Sequence, residues 1–215
     1  MKRLHRPFFP LPFLTGATVV VVSAIFAACA SSPSARIVNA EANALLDNGK
    51  YSEALVKYKE SLAMARAQQD RSYEAIAMYG MARAYGYQCM FSDSEQSFLG
   101  SIALQKEIPD SPSAYITQNQ LELARLYIGH MQWRQAIKQF DEALPRLEKL
   151  NVPSTRPVSF SLVLQDYTRA LREAGEQAKA EAIASRIQYL NSGKNANRER
   201  VQSFKPYPGS CRPSP

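Results

Sequence analysis

Cysteine, histidine and tryptophan are scarce in this chain of 215 residues, which has three Cys, two His and one Trp. Three cysteines are too few for a scaffold built on disulfides. Two histidines nearly exclude a His-based zinc or iron centre, and His5 falls in an N-terminal leader. No Gly-rich phosphate loop occurs, nor HExxH, CxxC or GxSxG, nor a run of strand-like alternation. Acidic pairs such as Asp141-Glu142 are adjacent in sequence and point apart on a helix. These absences leave no inventory for catalysis, and they imply no metal and no cofactor. Hydrophobic residues make up 46% of the chain, enough for a core, and the length suits one domain or two small ones.

The net charge of +7 belongs to the ends. Residues 1–28 carry +3, residues 29–190 balance 18 basic against 18 acidic side chains, and residues 191–215 carry +4. A neutral body gives no case for nucleic-acid binding. The first segment has Lys2, Arg3 and Arg6 followed by an apolar stretch densest over 17–28. That stretch is shorter than the roughly 20 residues a membrane-spanning helix needs. Phe26-Ala27-Ala28-Cys29 resembles a bacterial lipobox, in which the Cys becomes the lipidated first residue of the mature chain. The resemblance implies a signal peptide over 1–28, lipid on Cys29 and a tether over 29–34. No Asp follows Cys29, which in a Gram-negative envelope implies the periplasmic face of the outer membrane. An uncleaved signal anchor or plain secretion are the alternatives.

Residues 35–190 read as helix after helix, rich in Ala, Leu, Glu, Gln, Lys and Arg. Four segments align on small and aromatic residues: Ala54 with Tyr58, Ser94 with Phe98, Ala136 with Phe140, and Ala180, whose segment lacks the aromatics. The four small residues are 40, 42 and 44 apart. Leu-Ala-Arg-Leu-Tyr at 123–127, with Trp133, Ala136, Phe140 and Ala143-Leu144, is the best match to a tetratricopeptide repeat (TPR), and 48–55 follows it. The chain thus resembles an all-α, TPR-type superhelix of about four helix hairpins, roughly 35–68, 75–108, 117–150 and 161–192. The basic TPR unit has about 34 residues, so the longer periods predict helices one turn longer or longer links. Residues 107–113 and 151–157, each with two prolines, are such links.

The resemblance also implies that the first helix of each repeat lines a concave groove. Its groove-facing positions are then Asn39 and Asn43, Tyr79 and Arg83, Leu121 and Arg125, and Gln165 and Arg169. The three arginines would form a ladder for an acidic or C-terminal segment of a partner protein, unless acids on neighbouring helices pair with them. With Cys29 lipidated, Cys89 and Cys211 remain; they form a disulfide, or stay unpaired, or link two chains. The basic, Pro-containing tail 191–215 reads as a flexible, solvated end, with contact to anionic lipid as the alternative. The function that follows is a non-catalytic scaffold or assembly factor at the bacterial cell envelope. The runner-up is a binder of cell-wall glycan or envelope polysaccharide in export. Oligomeric state and the partner's identity are not encoded legibly.

Overall fold

In this computed structural model the described residues are 34–192, 206–208 and 211. The leader, Cys29 and most of the tether lie outside them. Among the described residues, α1 (Ala35–Asp47) pairs with α2 (Tyr51–Ala67), α3 (Arg71–Tyr87) with α4 (Phe91–Glu107), and α5 (Ser113–Gly129) with α6 (Trp133–Lys149). The single turn α7 (Val152–Thr155) leads into the last pair, α8 (Pro157–Glu173) and α9 (Gln177–Ser192). The all-α superhelix of four helix hairpins expected from the sequence is the fold.

Each hairpin turns by the same device. Gly49, Cys89, Met131 and Gly175 adopt left-handed backbone, with φ of 77°, 61°, 57° and 83°. The following amide then donates to the carbonyl five residues back: Lys50 to Leu45 (2.9 Å), Met90 to Tyr85 (3.0 Å), Gln132 to Tyr127 (2.9 Å) and Glu176 to Leu171 (2.8 Å). This closure satisfies carbonyls that a helix end otherwise leaves open. Cys89 and Met131 hold it without glycine, at a cost of ~1–2 kcal/mol each.

The first helices of the second, third and fourth hairpins begin at Arg71, Ser113 and Pro157, one turn ahead of the expected 75, 117 and 161. Local chemistry starts two of them early. The Asp70 carboxylate accepts from the Tyr73 amide at 3.0 Å, and Pro157 occupies the first helical position, where its missing N–H costs nothing. The extra turn, together with the proline-bearing links, accounts for the long repeat period.

The helices α1, α3, α5 and α8 touch one another in succession and form the inner face, and each of α2, α4 and α6 is wedged between two of them. Small residues set the spacing: Ala54, Ser94, Ala136 and Ala180 are all fully buried. Buried serines satisfy their hydroxyls on the facing helix, Ser61 on the Ala35 carbonyl and Ser101 on the Ala75 carbonyl, both at 2.8 Å. The cap helix α9 buries few side chains fully, Ala180 and Leu190 among them, as suits the end of a stack.

One expectation is corrected. The tail does not behave as a free solvated end at Tyr207 and Cys211. Tyr207 packs against two of the apolar core clusters, and Cys211 is buried and disulfide-bonded to Cys89, with 4.8 Å between their Cα atoms. The apolar body of tyrosine, together with a covalent bond, outweighs the entropy of a loose terminus.

Phe140 is fully buried, with its ring centroid 5.4 Å from that of Tyr167 on the next hairpin. Phe140→Ala is expected to lower stability by ~3–5 kcal/mol, read from urea unfolding followed by circular dichroism. No loss would mean that the repeat register is wrong.

Candidate binding groove

The inner-face positions expected from the repeat register separate into three groups. Asn39 and Leu121 are buried beneath the surface, Leu121 within the main core. Asn43, Tyr79, Arg83 and Arg125 gather along α1, α3 and α5. Gln165 and Arg169 are exposed on α8 and line a separate recess of about 460 Å³ with Arg172, Glu173, Ile187 and others.

Arg125 is already engaged. It contacts Glu122 at 3.2 Å and, across to α8, Asp166 at 2.9 Å, with only 10% of its side chain exposed. Of the two readings open in the sequence, pairing with neighbouring acids is the one realised at this position. Arg83 lies over the Tyr79 ring at 5.8 Å, and no described residue accepts from its buried Nε. Burial works against its charge, and Tyr79 and Glu122 outweigh that effect and keep it protonated. Glu122 thus pairs with Arg125 on its own helix, and its charge also favours the protonated form of Arg83 on α3.

Tyrosines complete the site, with Tyr58 and Tyr87 buried beneath its surface. The Tyr79 hydroxyl accepts from Gln118 at 2.9 Å, and the Tyr58 hydroxyl donates to Asn43 at 2.6 Å. The Tyr51 and Tyr87 rings stack with centroids 4.7 Å apart. Tyr207, arriving from the tail, lies 5.0 Å from the Tyr87 ring and donates to Glu122 at 3.3 Å. Burial first, then the charge of Glu122, lifts Tyr79, Tyr87 and Tyr207 above the usual phenol range, so all three hydroxyls keep their protons. The arrangement offers aromatic faces, hydroxyl donors and one partly satisfied guanidinium. It is suited to holding a segment of chain.

Sequence reasoning missed Glu122, Asp166, Tyr87, Tyr207 and Gly86. Glu122 had a signal, three residues before Arg125 on one helix face. Gly86 had another, a helical glycine where alanine would be ~0.5–1 kcal/mol more stable. Elsewhere, His130 packs on Phe91, with centroids 4.0 Å apart, and burial lowers its pKa against the opposing pull of Glu95. Trp133, the sole tryptophan, packs partly buried against the main core. Glu122→Gln is expected to cost ~3 kcal/mol in urea unfolding, because it removes the buried carboxylate that pairs with buried Arg125. Gln165→Ala on the exposed α8 face should stay within ~0.5 kcal/mol. Equal effects would contradict the central place given to Glu122.

No protein-family model matches the sequence, and no curated protein matches it. Solved structures do. BtubC (BKLC) from P. vanneervenii superposes with a TM-score of 0.68 at 19% identity, over 80% of this chain and 69% of that one. A candidate kinesin light chain from Podosopora anserina, built of nearly identical TPR-like repeats, superposes in a single-substitution form with a TM-score of 0.59 at 19% identity, over 77% of each chain. Another crystal structure of that protein gives 0.57 at 19%, over 78% of this chain and 77% of that one. At this identity the likeness establishes the fold alone: the chain is a TPR-like helical-repeat solenoid.

Proposed function

We propose that this chain is a non-catalytic scaffold that holds an extended segment of a partner protein against the inner face of its hairpin stack. The carrying observation is that the inner face already seats such a segment, Pro206-Tyr207-Pro208, by its aromatic ring. Because Arg125 is neutralised by Glu122 and Asp166, the partner segment is selected by ring and backbone more than by acidic charge. The leader with its lipobox-like Phe26-Ala27-Ala28-Cys29 supports a lipid anchor on Cys29. Acyl chains at ~0.8 kcal/mol per buried methylene would then hold the scaffold at the envelope, on the periplasmic face of the outer membrane.

The test uses the full chain in cells. A photo-crosslinking p-benzoylphenylalanine at Asn43, exposed on inner helix α1, is expected to yield one discrete adduct. The same group at Val56, 66% exposed on α2, is expected to yield none. Adducts indistinguishable between the two positions would overturn the groove as the working surface. Labelled palmitate should enter the wild-type chain and not Cys29→Ser; incorporation that ignores Cys29 would overturn the anchor.

A further inference from the structure

The inner face contains a slot of ring size, kept open by glycine. A Cβ placed on Gly86 would lie 2.5 Å from Cε1 and 2.9 Å from Cδ1 of Tyr207, closer than real Cβ atoms come. One placed on Gly129 would lie 3.9 Å from the Tyr207 Cβ. Tyr87 forms a wall, itself backed by Tyr51, and Glu122 meets the hydroxyl at the far end. The occupant comes on a backbone that proline has already ordered. Pro206 and Pro208 fix φ on either side of the ring, and a proline-flanked segment gives up little entropy on docking. Beyond it, the Cys211 amide donates to the Pro208 carbonyl at 3.0 Å, and Cys211 is bonded to Cys89. Cys89 itself is exposed, at the left-handed turn between α3 and α4.

We propose that this slot is a recognition site for a tyrosine flanked by prolines in a partner segment, and that Pro206-Tyr207-Pro208 occupies it in cis as a competitor latched by the Cys89–Cys211 bond. The proposal rests on the scaffold reading of the inner face and names the chemistry of its partner. A dithiol opens the latch. Its thiolate attacks the exposed Cys89 sulfur, the Cys211 thiolate leaves and takes a proton, and a mixed disulfide forms on Cys89. The second thiol of the dithiol closes on that mixed disulfide and releases Cys89 as a thiol. Two thiols of the protein replace one disulfide, and the dithiol becomes a cyclic disulfide, a balanced two-electron exchange. The tail then competes only through its tether, at an effective concentration that a partner can exceed.

The experiment is fluorescence anisotropy with a labelled synthetic peptide, Phe-Lys-Pro-Tyr-Pro-Gly-Ser, titrated with the full chain. The opened variant, Tyr207→Ala with Cys89→Ser and Cys211→Ser, should bind at least ~10-fold more tightly than the oxidised wild type, with wild type in dithiothreitol between them. Adding Gly86→Ala to the opened variant should abolish binding while helicity is retained, since alanine favours the helix and blocks only the ring. If the serine replacements fail to fold, the dithiothreitol arm reads the same opening on the unaltered sequence. Equal binding by oxidised and reduced wild type, no binding by the opened variant, or binding indifferent to Gly86→Ala would each overturn the proposal. A position-specific adduct at Asn43 in cells alongside any of those results would leave the scaffold standing and remove only the tyrosine slot.

Discussion

Large side chains pressed onto bare helix backbone set the dimensions of this molecule. Tyr58 of α2 lies on α3 where Gly80 presents no side chain; a Cβ there would come within 2.2 Å of the ring. Met78 meets Gly100 in the same way, at 2.3 Å. Such contacts let a large side chain lie directly on the neighbouring helix, and at Gly80 an added carbon would run into a ring. Hairpin spacing follows from them, and the curvature of a repeat stack follows from hairpin spacing.

With the spacing fixed, polar groups on successive inner helices fall within reach of one another. Arg125 ties α5 to α8 through Asp166, Tyr79 ties α3 to α5 through Gln118, and Glu122 meets both Arg125 and the Tyr207 hydroxyl. Each pair gives up hydration to form, so the network adds little net stability and much definition of position. The result is a surface arranged before any partner arrives, which lowers the entropic cost of binding. Tyr207 uses the same packing rule as Tyr58, a ring against a glycine. The difference is that its segment is held by one covalent bond and a ring, where Tyr58 is fixed within a helix.

The hairpins were legible because their signal is local and repeated. Ala54, Ser94, Ala136 and Ala180 serve as rulers in sequence and are all fully buried, since only small side chains fit where helices cross closely. The helix starts were less legible: a capping carboxylate at Asp70 and a proline at 157 add a turn that the repeat pattern does not count. Arg125 could be placed on the inner face but not assigned a partner, because one of its acids lies 41 positions away on another helix. The docked tail was legible only as one of three readings of Cys89 and Cys211, and the seat of Tyr207 not at all, for a stronger reason. Its disulfide spans 122 positions, and a single long-range contact leaves no periodicity in the chain. Only the oddity of glycine at position 86, near the end of a helix that would prefer alanine, hinted that something must come close there.

The central claim is that the inner face works by seating a tyrosine ring on helical glycine. It is tested most directly by proton NMR of the full chain, deuterated except at tyrosine and glycine. In the oxidised protein a nuclear Overhauser effect should connect the Tyr207 ring to the Gly86 α-protons. It should fade when a dithiol and excess unlabelled tail peptide are added, as the peptide ring takes the place of Tyr207. Absence of any Tyr207–Gly86 effect in the oxidised protein, or its persistence unchanged under those conditions, would contradict the account.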